Sequence, residues 1–206
     1  MYEKIKRLRY LLSLPIIGSF YGFLNYDNGR VFNLITEFDQ ALPFNQYFVI
    51  PYLLWYIFFP GMLIYFCFKD PALYKKQLWI INSGMLICYL IYIFFQTYVP
   101  RPLILENDLF CQLVKIVYSQ DNPYNAFPSI HVLTCYSVLL GCRELLFEKP
   151  VLMTTGMCTS VLIIISTVFL KQHVVLDVFG AIILVKMLSV VYEGYQQETV
   201  PLGARR

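Results

Sequence analysis

A chain of 206 residues that is 58% hydrophobic and only 14% charged, with a mean hydropathy of +0.59, lies far from the roughly quarter-charged average of soluble domains. Its formal net charge of +3 gives no reason to expect nucleic acid as a partner. The composition points instead to a protein whose surroundings are membrane lipids.

In chain order, residues 8–24, 47–68, 78–99, 130–146, 151–170 and 174–195 are apolar runs that each come near the ~20 residues needed to cross a bilayer as helix. They predict an all-α integral membrane bundle of six transmembrane helices. The first run follows Lys4, Lys6, Arg7 and Arg9, as a signal peptide would, but residues 25–30 hold no small-residue cleavage site, so a retained helix is expected. Between the first two runs, residues 29–44 carry Val31, Leu34, Ile35, Phe38, Ala41 and Leu42 at helical spacing, with Asn33, Thr36, Glu37 and Asp39 between them. That pattern predicts a helix lying in the interface plane. Residues 107–118 repeat it more weakly, with Leu109, Leu113, Ile116 and Val117.

No repeat, linker or low-complexity stretch divides residues 1–206, so one membrane-embedded domain is expected, with short connections around 69–77 and 143–150. Six spans put both termini on one side. That side collects Lys4, Lys6, Arg7, Arg9, Lys69, Lys75, Lys76, Arg143, Lys149, Arg205 and Arg206, against Arg30, Arg101, Lys115 and Lys171 on the other. The imbalance predicts a multi-pass protein of the cell (plasma or inner) membrane with cytoplasmic termini. Of the six cysteines only Cys111 falls in an outside loop, and no pair has metal-ligand spacing, so neither a disulfide framework nor a zinc site is expected.

On this topology the scarce ionisable residues gather at one level. Arg101 ends the third span in YVPRP, His131 opens the fourth in FPSIH, and Lys171, His173 and Asp177 open the sixth in LKQHVVLD. Ionisable groups at membrane depth are expensive and are functional candidates. His173 and Asp177, four apart, share a face if both are helical. The carboxylate then accepts from one imidazole nitrogen and leaves the other free to attack, an arrangement suited to nucleophilic catalysis. Pro128 and Ser129 start the fourth helix, whose unpaired N–H groups at Ser129 and Ile130 and positive dipole end suit an anion. Arg101 offers a planar fork for phosphate oxygens. The set suits phosphoryl transfer, with one histidine attacking and the other as acid, and it calls for no cofactor and no metal.

Arg101-Pro102, then Pro128-Ser129 with His131, then Ser166 with His173 and Asp177 resemble the type 2 phosphatidic acid phosphatase superfamily of membrane lipid phosphatases and phosphotransferases. Its motifs are a lysine seven residues before R-P, then P-S-G-H, then S-R-x5-H-x3-D. Here Phe94 stands at the lysine position, Ile130 at the glycine and Thr167 at the third-motif arginine. The F-P-S-x-H and Q-H-x-x-x-D forms look more like the branch that includes inositol phosphorylceramide synthases. Lys171 is a candidate replacement cation, and Gln96 and Tyr98 are candidate neutral donors. The resemblance implies a lipid phosphate substrate, catalytic His131, His173 and Asp177, and substrate binding by Arg101, Ser129, Ile130 and Lys171 at the outer face. It implies a lipid phosphatase acting on a phosphate or pyrophosphate through a phosphohistidine, or a phosphotransferase. The losses at Phe94 and Thr167 also raise an inactive lipid-binding or transport protein. A homo-oligomer is compatible with the sequence.

Overall fold

The computed structural model describes residues 2–199. Among these, every regular element is helical, and β contact is confined to isolated bridges of Phe32 with Thr97 and Tyr98 with Tyr124. The helices are α1 (Tyr2–Leu8), α2 (Ser13–Leu24), α3 (Glu37–Ala41), α4 (Val49–Lys69), α5 (Pro71–Phe94), α6 (Leu109–Gln120), α7 (Ile130–Glu144), α8 (Pro150–Phe169) and α9 (Val175–Thr199). Four are long and apolar enough to cross a membrane: α4 with its leading turn (Gln46–Lys69), α5, α8 and the Val175–Gln197 stretch of α9. Their outward faces expose Ile57, Leu90, Val151, Phe179 and Val190, an apolar surface that lipid, not water, accommodates.

The helix ends differ from the apolar runs, for local chemical reasons. A 3-10 turn over Arg9–Leu12 interrupts the first run. The helix expected from residue 78 begins at Pro71, because the Asp70 carboxylate caps the N–H groups of Ala72 and Leu73 and proline fills the first helical position. The expected 69–77 connection therefore shrinks to Asp70, and Gln77 is buried inside the bundle, accepting from the Ser137 hydroxyl. The same helix stops at Phe94; residues 95–99 are extended, held by the backbones of Phe32 and Pro123. Arg101 thus sits on an extended segment beyond the helix. Of 29–44 only Glu37–Ala41 is helical, started by a reciprocal Thr36–Asp39 capping box. Before it, the side chains of Asp27, Asn28 and Asn33 accept from N–H groups two residues on, and such local turns compete with helix. The helix expected at 107–118 is present as α6, capped by Asp108.

α7 is the central element and packs against α4, α5, α8 and α9. Its Val132, Leu133, Val138 and Cys142 are fully buried. Small residues permit the close approach: a Cβ on Gly156 of α8 would lie 2.8 Å from Cys142 Sγ, and one on Gly180 of α9 would lie 2.4 Å from the Phe127 ring. Gly180 therefore makes room for the segment that leads into α7. At the far end of the bundle, Lys76 Nζ reaches Glu144 at 2.9 Å and Glu193 at 2.7 Å, and Lys69 pairs with Glu148.

Candidate active site

The segment entering α7 is held by one hydroxyl. Thr97 Oγ1 accepts from the N–H groups of Ala126 and Phe127 at 3.0 and 2.9 Å, ahead of the cis Phe127–Pro128 bond. Ser129 is buried and caps the helix, its Oγ accepting from Val132 N–H at 3.2 Å. Its own N–H donates to the Asp177 carbonyl at 3.3 Å, so the first unspent N–H groups of α7 are those of Ile130 and His131. The expectation that Ser129 N–H meets a substrate anion thereby moves to its two neighbours. The His131 ring packs against Trp55 and Tyr52, with centroids 4.5 and 4.9 Å away. It stands 5.7 Å from the His173 ring.

His173 lies in the turn before α9, so it does not share a helical face with Asp177; the two meet as turn and first helical turn. Asp177 is 0% exposed. Its Oδ2 accepts from Val174 N–H at 2.9 Å and lies 3.3 Å from His173 Nδ1. With Nδ1–H donating, Nε2 keeps its lone pair, and a carboxylate so placed can stabilise positive charge on the imidazole, as a nucleophilic role would require. The His173 N–H donates to Thr167 O at 3.1 Å, which fixes the ring from its backbone side as well.

Two cations flank the histidines, each held by carbonyl oxygens. Arg101 Nη1 donates to the carbonyls of Tyr118 and Asp121 at 3.0 and 2.6 Å, Nη2 donates to Gln172 Oε1 at 2.7 Å, and the guanidinium stacks 4.4 Å above the Tyr118 ring. Of its five donors, one on Nη2 and the buried Nε–H stay unspent among the described residues. Lys171, in the left-handed region at φ 52°, donates to the carbonyls of Asp39 and Leu42 at 2.9 and 2.7 Å. Burial lowers its pKa, opposed by the Asp39 charge. Asp39 is itself 5% exposed: Oδ1 accepts from Val175 N–H and Oδ2 from Thr36. The α3 segment is thus fastened to the start of α9.

The structure brings Arg101, Ser129, Ile130, His131, Lys171, His173 and Asp177 into one region. Phe94, the last residue of α5, is 83% exposed and lines neither cavity beside His173, whereas Thr167 is buried and accepts from His173 N–H, its hydroxyl donating to Ile164 O. Gln96 is no substrate donor here. Its amide nitrogen donates to Leu24 O, Tyr26 O and Asn125 Oδ1, tying loops together. Sequence reasoning passed over Asp39, Gln172, Thr97 and the aromatic wall around His131. The T-x-x-D spacing of Thr36 and Asp39 and the glutamine preceding His173 were the available signals. Glu106, Asp108 and Cys111 form a cluster of metal-ligand size among the described residues, but it lies apart from the histidines, and Asp108 is spent on capping α6.

His173 borders two cavities. One, about 500 Å³, is lined by Asp39, Arg101 and Lys171; the other, about 270 Å³, holds His131 and the aromatic wall. An anion in the first and a leaving or accepting group in the second would both reach one imidazole. No curated protein and no solved structure matches the chain. The family described as the PAP2 superfamily matches residues 31–191, a range that contains both histidines, Asp177 and Arg101. The chain belongs to the PAP2 superfamily, whose membership suggests phosphatase or phosphotransferase activity on phosphate esters.

Proposed function

We propose that this protein is a six-span membrane enzyme that removes or transfers the phosphoryl group of a lipid phosphate at the outer leaflet, with both termini cytoplasmic. Two further spans are then α7 and the α1–α2 segment. The observation that carries this is His173, oriented by the buried Asp177 and facing His131 across 5.7 Å. Phosphate oxygens face Arg101, Lys171 and the Ile130 N–H. Nε2 of His173 attacks phosphorus, the ester P–O bond breaks, and His131 as imidazolium gives its proton to the departing lipid oxygen. A phosphohistidine remains. His131 next takes a proton from water, the oxygen attacks phosphorus, and the N–P bond breaks to restore His173. The lipid is held within the bilayer and its charge is met by donors already in place.

The experiment is phosphate release by detergent-purified protein from a panel of lipid phosphates and pyrophosphates, with EDTA and with or without a lipid alcohol, alongside trapping of acid-labile phosphoenzyme. His173→Ala is expected to abolish phosphoenzyme and to lower turnover by about 10³-fold or more. Near wild-type turnover in that variant overturns the mechanism. His131→Ala is expected to lose lipid turnover yet still form phosphoenzyme from p-nitrophenyl phosphate, whose leaving group hardly needs a proton.

A second reading, the phosphotransferase of the inositol phosphorylceramide synthase-like branch, is favoured by the cavity on the far side of His173, which offers an acceptor a place apart from the anion. Product formation that depends on the added alcohol distinguishes it from hydrolysis.

A further inference from the structure

One charge in the bundle serves neither end. Lys186 is the middle residue of the 23-residue Val175–Gln197 stretch of α9, about 16 Å from either limit. The other long apolar helices hold their lysines, where they have any, within the first or last two turns. Lys186 is exposed, on the side of α9 turned away from the buried face of Asp177, Ala181, Val185 and Leu188. Its neighbours on that side, Ile183, Met187 and Val190, are 56%, 61% and 68% exposed, an apolar surface suited to lipid. Among the described residues Lys186 makes no hydrogen bond and no ion pair. Snorkelling does not relieve it. A lysine near a helix end reaches water along its own stem, but Glu193 lies two turns on, about 10 Å away, and is taken by Lys76 at 2.7 Å. The Cα–Cβ bond of a helical residue also tilts toward the helix N-terminus, which at Lys186 is away from Glu193. In that direction the first carboxylate on α9 is Asp177, buried and already spent on Val174 N–H and His173.

Three neighbours can be weighed for this ammonium. Lipid tails offer it no acceptor, and lipid phosphates lie outside the hydrocarbon, about 15 Å from its centre. A second copy of the chain fails as well. Helices α2, α4, α5 and α8 hold no Asp or Glu, Glu144 and Glu193 are engaged by Lys76 at the far end, and a two-fold pair through α9 would set Lys186 against Lys186. What remains is a carboxylate brought to mid-membrane on the helix of another chain, where water does not weaken the attraction. The bundle leaves room for one. Helices α8 and α9 both pack on α7 rather than on one another, and Leu139 and Leu140 of α7 stay half-buried. Ser189 and Glu193, three and seven residues beyond Lys186 and so on its side of α9, line a cavity with Leu140.

We propose that the outward face of α9 docks a transmembrane helix of a different protein, one that carries an Asp or Glu at mid-bilayer depth and pairs it with Lys186. The inference rests on α9 crossing the membrane and not on the chemistry of the histidines. The exposed Ile183, Met187 and Val190 supply the apolar contact, and the charge pair fixes which helix is accepted and at what depth it sits.

The test uses full-length protein, donor-labelled and reconstituted in phosphatidylcholine vesicles, with acceptor-labelled polyleucine transmembrane peptides as probes. Read by energy transfer, a peptide with one central aspartate is expected to associate at least about tenfold more tightly than the all-leucine peptide or one with a central asparagine. Lys186→Leu should erase that preference, Lys186→Arg should keep it, and Lys186→Asp should transfer it to a peptide with a central lysine. Equal association of the aspartate peptide and either control, or a preference that survives Lys186→Leu, overturns the proposal. In the membranes where the protein is made, a photocrosslinker placed at Met187 should give an adduct with another chain whose span holds Asp or Glu, and Lys186→Leu should lose it. The protein's own dimer, a partner without a carboxylate in its span, or the absence of any adduct that depends on Lys186 overturns the proposal as well. Lys186→Leu should unfold in detergent at the wild-type midpoint or above, which separates lost docking from a lost fold.

Discussion

Where α7 and α9 end, Lys76 bridges Glu144 and Glu193 through exposed carboxylates; where the same two helices begin, Arg101, Lys171, Asp39 and Asp177 aim their charge at backbone groups and at one another's loops. Pairs of the first kind gain modest Coulomb energy, lose side-chain entropy and are screened by salt. Charges of the second kind have been taken from water, so losing a partner leaves a desolvated group exposed to the full cost. The difference shows how the same residue types serve separate purposes. One end tolerates adjustment, and the other fixes each donor and acceptor in advance, which is the arrangement the proposed chemistry would require.

The two ends should differ most in which of them meets the outside. In a background lacking Cys111 and Cys158, Asn122→Cys is expected to react with a membrane-impermeant thiol reagent in intact cells, and Lys75→Cys, exposed at the other end, is expected not to react until the membrane is opened. The reverse pattern would put the histidines on the cytoplasmic side. Next in size is Asp177→Asn, which keeps the shape of the side chain but removes the charge behind His173. Turnover should fall by about 10²- to 10⁴-fold, measured as phosphate release at saturating lipid, while Glu144→Gln at the far end stays within about twofold. Asp39→Ala tests the structural half of the contrast: it strips acceptors from Val175 and Thr36 N–H and should cost about 3 kcal/mol in detergent unfolding, at about 1.5–3 kcal/mol for a hydrogen bond to a charged group. A cost below about 0.5 kcal/mol would show that the α3 segment is not fastened. The smallest effect is expected from Lys76→Ala, no more than about 1 kcal/mol, with wild type losing a similar amount in high salt and the variant little.

Much of the site was legible in sequence because His131, His173, Asp177 and Arg101 are scarce polar residues at the edges of apolar runs, in a recognisable order. What escaped was set by contacts between distant parts of the chain. Asp39 matters because it meets Val175, 136 residues away; its T-x-x-D spacing announces a helix cap but not that distant contact. The aromatic wall is hidden by abundance, since 17 tyrosines and 17 phenylalanines make any individual ring unremarkable. Hydropathy placed the long helices but missed the ends of α5. The Asp70–Pro71 cap is polar yet starts the helix, and residues 95–99 are apolar yet pair as extended backbone. It also read 29–44 as one helix, because apolar periodicity cannot weigh the competing turns at Asp27, Asn28 and Asn33.

The brevity of α7 has a further meaning. Fifteen residues rise about 22 Å, short of the ~30 Å of hydrocarbon a typical bilayer presents. A lipid-facing helix of that length would have to thin the membrane around it or draw anchors to its ends, but α7 is sheathed by α4, α5, α8 and α9 and owes nothing to hydrophobic matching. If its Glu144 end is level with its neighbours in a bilayer, its start, with His131, lies about 8 Å inside the opposite edge of the hydrocarbon. If the substrate is a lipid phosphate as proposed, the chemistry is countersunk: the phosphate ester, which rests in the headgroup layer outside the hydrocarbon, must be drawn inward between the helices, and donors fixed around the imidazoles must replace the water it leaves behind.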